Sequence, residues 1–211
     1  MTARRQPAAR PPLAQLPPAE RRQLLDDLNY LNPTEIKRFC KGHSIPYRIT
    51  IEAAGGVRRG TRDDDRKGIV LARIREFLAT GRVPEATCFP AAVVCFDPLP
   101  EALAAADRLH YGQYDKTSRE MVALLKDLTG GQFRNGAIAR ILANEFWRNG
   151  TAPTFAEYAS AWLEAVRGHK RPNPEWAFLS DRAAQGAVPG WKALRTKRAA
   201  RAIKLLHRIC G

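Results

Sequence analysis

Asn32-Pro33-Thr34-Glu35-Ile36-Lys37-Arg38-Phe39-Cys40-Lys41-Gly42 and, further on, Lys67-Gly68-Ile69-Val70-Leu71-Ala72-Arg73-Ile74-Arg75-Glu76-Phe77-Leu78 decide the fold reading of this chain. In the first segment Asn32 is an N-cap, Pro33 a first helical residue and Glu35 an acid in the first turn, which satisfies orphan amides and the helix dipole. A helix over 33–42 follows, with Ile36, Phe39 and Cys40 on its buried face and Lys37, Arg38 and Lys41 outside. The second segment buries Val70, Ile74, Phe77 and Leu78 and stops at Gly81, with Pro84 beyond. Between the two helices, Tyr47, Ile49 and Ile51 alternate with Arg48, Thr50 and Glu52, a strand signal that ends at Gly55-Gly56. The pattern fits a small hairpin carrying Arg58, Arg59 and Arg62 at its tip and return.

The two ends of this stretch resemble the SAP module, a helix, extended loop, helix unit that binds DNA. Glu35 to Pro46 is similar to the family's first helix and its exit, and Asp65 to Ile74 is similar to its Gly-x-Lys-x-x-Leu-x-x-Arg-Leu opening of helix two, with Lys67, Val70, Arg73 and Ile74 in register. Asp65 and Ser44 stand where the family has Gly, and the 47–64 loop is longer than its usual linker. The resemblance implies that DNA is met by the start of helix two and the loop before it, with Lys67 and backbone amides on phosphate. It also places the chain beside bacterial-type proteins in which such modules accompany helical domains.

Composition supports the same partner. The chain has 211 residues, 35 Lys plus Arg against 21 Asp plus Glu, and a formal net charge of +14. That balance favours a polyanion, because each neutralised phosphate releases counterions. A basic start without an apolar run, broken by Pro11-Pro12 and Pro17-Pro18, is not a secretory signal. The longest apolar run, Ala91 to Phe96, is far short of the ~20 residues of a membrane span. Four cysteines with no C-x-x-C pair fit reduced thiols, so a cytoplasmic location is expected, with association to the nucleoid as an option within it.

The expected fold class is mainly α: a SAP-like helix-loop-helix module, a short β-hairpin in its loop, then a small helical domain. Residues 1–19 read as a flexible basic Pro/Ala-rich arm, 20–84 as the module, 85–98 as an extended linker or packing segment, 99–182 as the helical domain and 190–211 as a basic amphipathic helix. Cys88 to Phe96 fits a buried strand or an extended segment, which periodicity does not decide. Thr117-x-x-Glu120 and Thr154-x-x-Glu157 read as capping boxes. Between them a helix over 135–149 turns Ile138, Ile141, Leu142 and Phe146 inward. A further short helix starts at Asn173-Pro174-Glu175, with Trp176 and Leu179.

The last segment, from Trp191, carries seven positive charges and no acid. Ala199, Ala202, Ile203, Leu206, Ile209 and Cys210 share one face, and Lys197, Arg198, Arg201, Lys204 and Arg208 the other. Such a helix docks on the body and offers charge to phosphate, lies on an anionic membrane, or presents a solvated face; the first is favoured by the basic element upstream.

Sites with other chemistry are poorly supported. Asp63-Asp64-Asp65 reads as the acidic start of helix two rather than a metal cluster. Cys40-x-x-His43 and His207-x-x-Cys210 are weak halves of a zinc site, because Cys40 lies on an apolar stripe. The four tryptophans read as core rather than as stacking platforms. No nucleophile, base and orienter set is visible, nor a phosphate-cradling loop, so no enzyme, metal or cofactor is expected. The expected function is binding of nucleic acid, duplex DNA first, through phosphate contacts with low sequence specificity. Lys37, Lys41, Arg58, Arg59, Arg62, Arg66, Lys67, Arg73, Arg198, Arg201, Lys204 and Arg208 are the expected contacts. The alternatives are a protein-interaction adaptor that uses the helical domain, and a cryptic nuclease or toxin.

Overall fold

The computed structural model describes residues 11–115, 117–168 and 190–211. The expected mainly helical class with a small hairpin is what the chain adopts: seven α-helices and a three-stranded sheet among the described residues. The short helix expected from Asn173 and most of the basic arm lie outside the described residues.

The chain forms two compact units, and neither is a continuous segment. Unit 1 takes residues up to Tyr47, Asp65–Ala86 and the C-terminal helix; unit 2 takes Arg48–Asp64 and residues from Thr87 onward. This differs from the expected division, in which the module kept its own loop. The loop has alternating Ile49 and Ile51 to bury, and both side chains pack in the unit 2 core.

Unit 1 is built from α1 (Pro18–Asp27), α2 (Pro33–Gly42), α3 (Lys67–Thr80) and a final helix that we call α7 (Trp191–Cys210). Helix α2 starts where Asn32 and Glu35 predict: the Glu35 N–H donates to Asn32 Oδ1 at 2.8 Å and the Asn32 N–H to Glu35 Oε2 at 2.6 Å. Ile36 and Cys40 are buried as expected, with Phe39 partly so. On α3, Gly81 ends the helix in the left-handed region (φ 72), which a residue without Cβ adopts without strain. Helix α7 buries Ala199, Ala202, Leu206 and Ile209, as its wheel predicts, together with Leu205.

Two readings need correction in unit 1. Residues 11–19 are not all flexible arm: Pro12–Gln15 form a 3-10 turn and α1 begins at Pro18. Leu16 is buried and Leu13 packs beside it, and that apolar burial offsets the ordering entropy which the Pro/Ala composition alone does not. The acidic run is not a helix start either. Asp63 and Asp64 end β2, and only Asp65 precedes α3, where it is buried.

Unit 2 contains the strands β1 (Arg48–Glu52), β2 (Arg58–Asp64) and β3 (Cys88–Phe89), in the order β2-β1-β3. Strands β1 and β2 form the expected hairpin, with Gly55 (φ 79) and Gly56 (φ 76) at its turn. Strand β3 lies parallel to β1, Thr50 beside Cys88 and Ile51 beside Phe89. It is only two residues long, because Pro90 cannot continue the ladder and a 3-10 turn follows over Ala91–Val93.

Helices α4 (Arg119–Leu128), α5 (Ala137–Arg148) and α6 (Phe155–Gly168) complete unit 2. The α6 capping box is present, with Thr154 and Glu157 bonded reciprocally at 2.7 and 3.1 Å. In α4 the cap is Ser118, one residue later than expected, because Asp115 Oδ1 captures both the N–H and the hydroxyl of Thr117. Helix α5 is rotated from its expected face: Ala139, Ala143 and Trp147 are fully buried, and Ile138, Leu142 and Phe146 flank them. Trp147 turns inward because its Nε1–H reaches the Leu109 carbonyl at 2.9 Å. Trp147 and Trp162 are core residues.

Candidate nucleic-acid interface

The twelve expected contact residues divide between the units. Arg58, Arg59 and Arg62 belong to unit 2; Lys37, Lys41, Arg66, Lys67, Arg73, Arg198, Arg201, Lys204 and Arg208 belong to unit 1.

On the hairpin, β2 is an edge strand, and six of its seven residues are exposed, Thr61 being half-buried. Its register with β1 sets Arg58 opposite Glu52 and Arg59 opposite Ile51, and the ladder is irregular between Arg48 and Thr50. The irregularity is clamped by Thr61, whose hydroxyl donates to the Ile49 carbonyl at 2.8 Å and accepts the Asp63 N–H at 3.1 Å. Asp63 in turn accepts the hydroxyl proton of Tyr111 through Oδ2. Burial first, and then that bond to a carboxylate, push the Tyr111 phenol up to about 12. Tyr111 stacks edge-on against Phe89 at 5.1 Å and Trp147 at 5.5 Å, so the base of β2 is tied to the aromatic core while its arginines stay in solvent.

The start of α3, where the SAP-like pattern puts phosphate, is occupied from within. Lys67 Nζ donates to the Asn29 carbonyl at 2.5 Å. Burial, reinforced by the Arg195 charge and opposed by Glu35, pushes its ammonium down to about 8. Arg66 is half-buried at the N-cap, with its own N–H on Asp65 Oδ1 at 3.0 Å. Arg73 is 7% exposed, donating to Asp65 Oδ2 at 2.8 Å and to the Pro46 carbonyl at 3.0 Å. It is a structural residue. The departure from the family at Asp65 therefore has a physical role: its carboxylate supplies the partner for a buried guanidinium.

Helix α7 differs from the expected free basic face. Asp27 of α1 is fully buried, and Arg201 grips it with two N–H groups at 2.5 and 2.9 Å. Arg198 adds its charge at 3.9 Å and lies 4.7 Å above the Tyr30 ring. Arg195 bonds Glu35 Oε2 at 2.5 Å and the Tyr30 carbonyl at 3.1 Å, and Arg208 pairs with Glu20. The helix is thus docked by its arginines as well as its apolar stripe, and of its four expected contacts only Lys204 stays outside these pairs. Lys41 is exposed and Lys37 half-buried on α2.

These pairs carry a prediction. Replacing Arg198, Arg201, Lys204 and Arg208 together by Gln is expected to lower the melting temperature, because Asp27 is left charged and buried without its guanidinium partners. A thermal melt that matches the parent would show that Asp27 does not depend on them. The sequence held the signal for this acid: Leu24, Asp27, Leu28 and Leu31 lie on one helical stripe, and all are buried.

His43 is held between Phe39 at 4.4 Å and Phe77 at 5.5 Å, and burial lowers its pKa. Burial also raises the Cys40 and Cys210 thiols, each to about 11, in keeping with core packing. Among the described residues no group of three or more His, Cys, Asp and Glu side chains is placed to hold a metal ion, and no helix is long and apolar enough to cross a membrane. Compared with known proteins, the chain matches no family model, no curated protein and no solved structure.

Proposed function

We propose that this protein binds nucleic acid, duplex DNA in the first place, through phosphate contacts with little base discrimination, and that the β1–β2 hairpin is the principal contact surface. The observation that carries this reading is the edge strand β2, on which Arg58, Arg59 and Arg62 are all exposed. A two-stranded ribbon fits the major groove of B-form DNA, whereas the deep, narrow major groove of A-form RNA excludes it. The SAP-like pattern of α2 and α3 agrees with a duplex DNA partner, although Lys67 and Arg73 serve the fold.

Low specificity follows from composition. Strand β2 offers no Asn or Gln to read adenine, and a bidentate arginine contact to guanine needs a guanidinium held by its neighbours. Fluorescence anisotropy with a labelled duplex, titrated at several salt concentrations, tests the reading. Three hairpin contacts give a slope of log affinity against log salt of about −2.7. Affinity that stays flat across roughly 50 to 200 mM salt, or no binding at the low end, overturns the proposal. A duplex RNA of the same length is expected to bind more weakly.

A further inference from the structure

We infer that β2 is also a self-association edge, through which two copies of this chain join antiparallel into one continuous sheet. Strand β2 reads Arg58-Arg59-Gly60-Thr61-Arg62-Asp63-Asp64, basic at one end and acidic at the other. A two-fold axis at Thr61 sets Arg59 of one copy opposite Asp63 of the other, and Arg58 opposite Asp64, twice over. A parallel approach sets like charge on like charge, so the pattern selects the antiparallel one.

The main chain is ready for this pairing. The Thr50 N–H bonds the Thr87 carbonyl at 2.8 Å, so Thr50 directs its polar groups toward β3. Gly60, its partner on β2, correspondingly directs its own N–H and C=O away from β1, toward the open edge. Charged side chains and bulges protect edge strands from unrelated partners, and β2 carries both; its charge order, however, is complementary to its own copy. Asp63 engages Tyr111 through Oδ2 and keeps Oδ1 for a second donor. Arg59 is exposed. The irregularity at Thr61 shortens the paired stretch, so the interface is small and the association weak, with a dissociation constant on the order of 100 µM.

This inference does not rest on the nucleic-acid reading, and its test uses none. Sedimentation velocity of the full chain, free of nucleic acid, is expected to show an apparent mass that rises with concentration. Arg58→Asp with Arg59→Asp sets acid against acid at all four pairs and loses the association by at least ~10-fold, and Asp63→Arg with Asp64→Arg sets base against base with the same loss. An equimolar mixture of the two variants associates again as a heterodimer. Gly60→Pro, which removes an outward N–H and leaves every charge in place, is expected to give a folded monomer; its Cβ has open space. A parent that stays monomeric at millimolar concentration overturns the inference. So does a mixture of folded charge variants that fails to associate, or a folded Gly60→Pro variant that dimerises like the parent.

Discussion

Replacing Arg73 by alanine is expected to cost unit 1 about 3–5 kcal/mol, a large share of the stability of a domain this size. The side chains of Arg73 and Asp65 are 8% and 3% exposed, so truncation leaves a carboxylate charged and out of water. It also strips the Pro46 carbonyl of its donor at the point where the chain leaves for the hairpin. Equilibrium unfolding in urea, followed by far-ultraviolet circular dichroism, measures the loss. Asp65→Asn combined with Arg73→Met is expected to recover much of it, because an uncharged pair of similar size has no ionic desolvation to offset. A single Arg73→Ala variant within about 1 kcal/mol of the parent would mean that the pair is hydrated in solution.

The second large effect concerns binding. Arg58, Arg59 and Arg62 changed together to Gln are expected to make the salt slope of duplex DNA binding shallower by about 2.7, and to lower low-salt affinity on the order of 10²- to 10³-fold. The melting temperature should hold, because all three side chains are exposed on an edge strand. If this variant binds with the parent's affinity and slope, the hairpin is not the phosphate surface, and Lys41, Lys204 and residues outside the described segments become the candidates.

Helix α2 was legible to the residue, because its cap, first-turn proline and stop are all local signals. The hairpin was legible from alternation and from the paired glycines at its turn. What local pattern does not hold is destination. Nothing near Ile49 says that its strand will pair with Cys88 and Phe89, and nothing near Arg201 says that an acid in α1 waits for it. The wheel of α7 separated charge from apolar surface correctly, but charge on the outer face of a helix is not the same as charge in solvent. That distinction required Asp27, Glu35 and Glu20 in three dimensions. Arg73 shows the converse, a family-like position whose environment gives it a structural role.

The docking of α7 also has a consequence for the order in which the protein matures during synthesis. Arg201 meets Asp27 across 174 positions of chain, and the core of α1, α2 and α3 includes Ala199, Ala202, Leu205 and Leu206. Helices α1, α2 and α3 therefore wait for residues made more than a hundred positions later before their apolar faces are fully covered. The core of unit 2 spans Ile49 to Trp162 and is available well before that point. Vectorial folding thus runs against the usual direction here: unit 2 closes first, and helices α1 to α3 stay open to chaperones or to premature collapse until α7 has been made.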